Sequence, residues 1–346
     1  MPNKYNDEIN GIIERTKEIK RLKNLTVNEW FSIFLSDYCQ NIKTSTLASY
    51  QQSFANHIKI ILGDVLLSDI CSEVIQFFIN VLLNGDQERQ PLAPKSVKNV
   101  YGVLHKGLSC AYRLGYIQSD IKDMMIILPK NRQVDINPLT NDEIISLIAE
   151  ITDSQYKSII LTALFTGMRE SELLGLKWYD IDFQGGTIKI ARQLTRDKIT
   201  RQYVLTSVKN DKPRSISPAP FIMKMLQDRF NGNRNDFVFT NELGTHFSHN
   251  AVYRYLKKAA MKAFGRSNVR FHDLRHTYAV LSLQAGDDYK TLQANMGHYS
   301  AAFTLDRYGH CTDVMKNVSS QRMEKYYQNV LMGDELIIQK PINLIV

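Results

Sequence analysis

Phe271-His272-Asp273-Leu274-Arg275-His276 is the stretch on which the reading of this chain turns. It holds a His-x-x-Arg pair. Shortly downstream follow Gly297-His298 and Tyr308-Gly309-His310, and well upstream stands a second arginine, in Thr166-Gly167-Met168-Arg169-Glu170-Ser171-Glu172-Leu173. Two arginines, two histidines and a tyrosine make little sense as a metal site. They make good sense as a clamp around a phosphodiester with a phenolic nucleophile beside it.

Phosphodiesters resist cleavage because the attacking oxygen meets negative charge and the departing alkoxide is poor. A protein working without metal must neutralise the phosphate, activate a nucleophile and protonate the leaving group. Arg169 and Arg275 can each offer two donors in a fixed fork, which a lysine cannot. His272 and His298 can donate to the same oxygens or shuttle protons. Lys209 follows a strand pattern and is the candidate general acid. Tyr308 is the candidate nucleophile; a phenol with an ordinary pKa of about 10 must lose its proton during attack.

The bulk numbers agree with an anionic partner but do not demand one. The chain has 346 residues, enough for two domains, a hydrophobic fraction of 44% and a formal net charge of +8. Cys39, Cys71, Cys110 and Cys311 are scattered singly, without zinc-ligand spacing, and fit free thiols in a reducing compartment. The polar start lacks a signal-peptide core, and no uncharged apolar run has membrane-spanning length. A cytoplasmic protein with no cofactor is expected.

Along the chain, residues 1–24 form a polar extension of mixed charge. Thr26-Val27-Asn28-Glu29 is a capping box before Trp30 and Phe31. Apolar residues at helical spacing predict further helices through Leu47–Ile61, Val74–Leu83 and Ser96–Arg113, a four-helix bundle over 25–128. Residues 129–138 read as a linker, and a second capping box, Thr140-Asn141-Asp142-Glu143, opens another domain, 139–325. Within it Thr187–Ile190 and Gln202–Leu205 read as strands, with Arg214–Ser217 a third, before helical patterns resume. Residues 326–346 form a tail with an apolar end. The fold class is mainly α with a small β-sheet.

Taken in order, Thr166-Gly167-Met168-Arg169 with Glu172-Leu173, Leu176-Lys177-Trp178-Tyr179-Asp180-Ile181-Asp182, His272-Asp273-Leu274-Arg275-His276-Thr277, Met296-Gly297-His298 and Tyr308-Gly309-His310 resemble the tyrosine recombinase (phage integrase) family. They are most similar to integrases of Gram-positive phages and conjugative transposons. Each motif alone is weak; the ordered set is specific. The resemblance implies an N-terminal helical core-binding (SAM-like) bundle and a mostly helical catalytic domain on opposite sides of DNA. Arg169, His272, Arg275 and His298 would hold the scissile phosphate, with Glu172 supporting Arg169. Lys209 would protonate the departing 5′ oxygen; it is preferred to Lys212 because it keeps the family's gap to the strand at Ile216. Tyr308 would be joined to the 3′ phosphate. The enzyme would integrate and excise a mobile element.

Implied partners are duplex attachment sites, three further copies in a tetramer with the tail packing in trans, and an excisionase or a host DNA-bending protein. Lys95, Lys98 and Lys106 on the bundle, and Arg254, Lys257 and Lys258 on the helix 250–262, are candidate DNA contacts. A chromosome-dimer resolvase or DNA invertase would use the same residues. A type IB topoisomerase would share the site, and a catalytically silent DNA-binding regulator would share only the fold. His57, His105, His246, His249 and His276 are read as structural.

Overall fold

In a computed structural model, the described residues are 9–11, 13–14, 25–131, 137–197, 200–208, 212–297 and 320–328. Two compact units divide them. The first comprises residues 1–134 with 197–202; the second comprises residues 135–196 and those from 203 on.

Within residues 25–131 the named elements are all helical. Helix α1 (Val27–Asp37) starts at the capping box, where Glu29 N donates to Thr26 Oγ1 at 3.2 Å and Thr26 N donates to Glu29 Oε2 at 2.8 Å. Helix α2 (Thr44–Ser53) runs through a π-helical turn, Phe54–Ile58, into α3 (Lys59–Leu62). The spacing predicts one regular helix here, and the π turn departs from it for a packing reason. Phe54, Ile58 and Leu62 are all buried at four-residue intervals. A row of that spacing drifts off one face of a 3.6-residue helix, and the wider turn brings it back. Helix α4 (Ser72–Asn84) and the long α5 (Pro94–Arg113) complete the bundle. Gly107 on α5 lies under the Phe31 ring, which a Cβ would meet at 2.4 Å, and its carbonyl accepts from Trp30 Nε1 at 2.9 Å. The large aromatic residues of α1 and the inner face of α5 therefore share one core.

The second unit opens with α6 (Asn141–Glu150), capped by the same device at Thr140 and Glu143. Next come α7 (Ser154–Thr166) and the short α8 (Glu170–Leu174). Strands β1 (Ile181–Asp182), β2 (Thr187–Ile190) and β5 (Arg214–Ile216) make an antiparallel sheet in the order β1-β2-β5. A separate hairpin pairs β3 (Arg192–Arg196) with β4 (Tyr203–Ser207). Helices α9 (Pro220–Gln227), α10 (His249–Phe264), α11 (Phe271–Ala285) and α12 (Tyr289–Met296) follow. Ile159, Leu164, Leu173, Ile188, Phe239, Leu256 and Leu274 are among the buried residues of its core. A mainly helical fold with a small β component is what the sequence predicts. Among the described residues, no helix is long and apolar enough to cross a membrane.

Candidate active site

The site is built where three loop junctions meet. Helix α7 ends at Gly167, whose φ of 62° is left-handed and suits glycine. A Cβ there would strike the Tyr278 ring of α11 at 2.2 Å, so α7 and α11 come together on this glycine. Two residues later Arg169 is the N-cap of α8. Helix α12 ends at a second left-handed glycine, Gly297, with φ 62°. Arg275 is in the second turn of α11, and Arg214 begins β5.

Three arginines converge on the last carbonyls of α12, each taking a different one. Arg214 Nε donates to Asn295 O at 2.8 Å, Arg275 Nη2 to Met296 O at 2.6 Å, and Arg169 Nη2 to Gly297 O at 3.1 Å. These carbonyls lack partners within the helix and lie at the negative end of its dipole, so guanidinium donors suit them twice over. Arg275, buried at 3% exposure, also donates through Nη1 to Gly167 O. One side chain thus ties the ends of α7 and α12 together.

Glu172 supplies the countercharge. It is 1% exposed and accepts from Arg169 N (2.9 Å), Arg169 Nη1 (2.7 Å), Arg214 Nη1 (2.9 Å) and Arg214 Nη2 (2.7 Å). Burial pushes its carboxyl up, but hydrogen bonds and charge from Arg214, then Arg169, outweigh this and bring its pKa to about 2. It is an anion at neutral pH.

His272 stands at the first turn of α11, exposed at its surface. Partial desolvation and then the charge of Arg275, with Arg270 and Arg169 adding, hold its pKa below the ordinary value, while Asp273 opposes them. The imidazole is therefore neutral near pH 7 and has one nitrogen able to accept a proton. His276, buried, meets it edge to face with ring centres 4.6 Å apart. Asp273, buried, caps α11 through Arg270 and has a lowered pKa; burial raises it, and the hydrogen bonds from Arg270 overcome that.

Of the residues singled out from sequence, Arg169, Glu172, His272 and Arg275 are brought together here. Lys209, His298 and Tyr308 lie outside the described residues, as does Cys311. Lys212 is described and exposed. Arg214 is the residue that sequence reading misses: 214–217 reads only as a strand, and the sole clue is an arginine entering an apolar alternation. His249 does more than pack. Its Nδ1 faces Glu170 Oε2 at 3.3 Å and its Nε2 faces Leu194 O at 3.3 Å. The hydrogen bond to Glu170 raises its pKa against the effect of burial.

The model described as the phage integrase family matches residues 137–314, just over half of the chain. The chain belongs to the phage integrase family. A second model, the N-terminal SAM-like domain of phage integrases, matches residues 26–83. The tyrosine recombinase XerC-like protein of Caldanaerobacter subterraneus is 27% identical over 78% of this chain and 74% of its own length. The ICEBs1 integrase of Bacillus subtilis is 27% identical over 81% of this chain and 78% of its own. In fold, the chain is similar to the Tn1549 transposon integrase solved with a circular intermediate DNA. Their TM-score is 0.72 at 21% identity, over 86% of this chain and 99% of the other. This integrase is thus a site-specific recombinase of the tyrosine class.

The candidate DNA-contact residues fall on two exposed helix faces. Arg254, Lys257 and Lys258 are exposed on α10, with Lys262 paired to Glu150 at 3.1 Å. Lys95, Lys98 and Lys106 lie along α5, with Lys98 half-buried and Lys106 Nζ 3.3 Å from Tyr50 Oη.

Proposed function

We propose that this integrase grips one phosphodiester of a duplex attachment site with Arg169, Arg275, His272 and His298 and cleaves it with Tyr308. The Tyr308 oxygen attacks phosphorus and the bond to the 5′ oxygen breaks. The phenolic proton passes to a histidine, and the leaving oxygen takes a proton from Lys209. The result is a 3′-phosphotyrosyl link that keeps the energy of the original bond. A 5′ hydroxyl from the paired site then attacks that link, releases the tyrosine and seals the exchanged strand. Four copies on two paired sites integrate and excise a mobile element at the nucleoid, with an excisionase and a host DNA-bending protein setting direction.

The observation that carries this reading is the convergence of Arg169, Arg275 and Arg214 on the end of α12. Two guanidiniums on one buried carboxylate, with that of Arg275 on the same helix end and a neutral imidazole one turn before it, gather positive charge that suits a phosphate whose charge grows during attack. The last residue of that cradle is Gly297, so the chain enters His298 directly from it. In this reading residues 25–128 hold the core site, 139–325 perform the chemistry, and 326–346 dock on a neighbouring copy.

A nicked duplex spanning the element's junction, which traps the cleaved strand, tests the proposal. The full chain should give a protein–DNA adduct stable to denaturant, with the oligonucleotide on the peptide that holds Tyr308. Tyr308→Phe should give none. An adduct on another residue, or one that survives Tyr308→Phe, sinks the assignment.

A further inference from the structure

Helix α5 carries two glycines, and only one of them is explained by the chain itself. Gly107 is needed because Phe31 occupies the space of a side chain. Gly102 has no such reason. It is exposed in the middle of a 20-residue helix, its φ is not left-handed, and a Cβ built on it meets no atom of the described residues within 4 Å. A glycine in an exposed helix interior weakens the helix compared with alanine. Among the described residues, no side chain fills that space to offset the loss.

Its surroundings say what does. On a helix surface the neighbours of a residue lie three and four positions away. For Gly102 these are Lys98, Asn99, His105 and Lys106. The row extends to Lys95 at one end and Arg113 at the other, and α5 has no acidic residue in its whole length. Between residues 25 and 131 acidic and basic side chains are equal in number, nine of each. Four of those nine basic residues lie on α5 and none of the acidic ones does, so its positive charge is a local concentration in a stretch whose other residues are acidic on balance. Helix α5 also lies beyond residue 83, where the match to the N-terminal family model ends.

We infer that Gly102 is the point of closest approach between α5 and the sugar-phosphate backbone of bound duplex DNA, a gap in the helix surface that lets a strand seat between Lys98 and Lys106. This rests on the recombinase reading above. The bare helix backbone admits the strand to near contact. Lys98 and Lys106, one turn to either side, reach the flanking phosphates, and Asn99 and His105 add donors within the same turn.

The test sets stability against binding. In the full chain, Gly102→Ala should raise the melting temperature of the unit that holds α5 by about 2–4 °C, because it restores helix propensity. The same variant should bind a fluorescein-labelled mixed-sequence duplex at least about fivefold more weakly, a change read directly from anisotropy titrations. Lys98→Ala combined with Lys106→Ala should lower the salt slope of log Kd by about two, one for each lost phosphate contact. A role in folding alone cannot make one methyl group stabilise the chain and weaken its binding together. If the unaltered chain does not bind the duplex, the recombinase reading fails and takes this inference with it. If it binds and Gly102→Ala binds equally well, only the present inference is overturned.

Discussion

Glu172 shows how one residue can set the character of a site without touching substrate. A carboxylate at 1% exposure is costly unless it is paired, and this one is surrounded by two arginines and a backbone N–H. Its pKa of about 2 against 4.5 corresponds to roughly 3 kcal/mol of stability. The sign follows from the depressed folded value. That stability is fully present above about pH 4.5 and is lost as the pH falls through about 2. Glu172→Gln keeps the shape, removes the charge and leaves Arg169 and Arg214 crowded around a neutral amide. Urea denaturation of the variant at pH 7 should show a loss of about 3–5 kcal/mol. Its stability should also fall less than the wild type's between pH 5 and pH 2. An acid limb of unchanged steepness would mean that Glu172 is not the group titrating.

At the scale of elements, the end of α12 is the joint that organises the site. It is held by a strand through Arg214, by α11 through Arg275 and by the start of α8 through Arg169. Arg214→Lys separates the two duties of that side chain. A lysine can still face Glu172 but cannot at once fork to the carboxylate and bond Asn295 O. We expect a modest stability cost, about 1–2 kcal/mol, and duplex affinity within twofold of wild type. Adduct formation on the nicked duplex should slow by at least about tenfold, because α12 no longer fixes the direction in which the chain leaves Gly297. Equal adduct rates would show the joint to be structural only.

Elements also show where sequence reading succeeds and where it stops. Both capping boxes are visible as Thr-x-x-Glu before an apolar run, because the reciprocal hydrogen bonds need those residue types at that spacing. Arg169, Glu172, His272 and Arg275 are legible because each falls inside a motif. Strand β3 is not: Arg192-Gln193-Leu194-Thr195-Arg196 has one buried apolar residue, Leu194, and is a strand because β4 pairs with it. Such pairing is a tertiary fact that overrides local propensity. Arg214 is invisible for a related reason, since its partners Glu172 and Asn295 lie 42 and 81 residues away. The π turn of the first unit is equally hidden, being set by what Phe54, Ile58 and Leu62 must face.

At the scale of the whole molecule, the two larger cores among the described residues lie in different units. One gathers Trp30, Phe31, Phe78 and Leu108; the other gathers Leu164, Leu173, Phe239 and Leu274. Every residue assigned to chemistry, from Arg169 to Tyr308, falls after the linker, whereas Gly102 and the α5 lysines fall before it. Binding and bond-breaking should therefore be separable by cutting the chain. A fragment of residues 137–346 contains the whole second core and all three arginines of the α12 joint, so it should fold, with a cooperative thermal transition of its own. At saturating nicked duplex it should form the Tyr308 adduct. It should need on the order of 10²-fold more DNA to do so, because the first unit no longer holds the site at high effective concentration. Adding residues 1–131 in trans should not restore the affinity, since tethering and not an extra contact is what the cut removes. A fragment that folds yet forms no adduct at any DNA concentration would show that the first unit contributes to the chemistry itself.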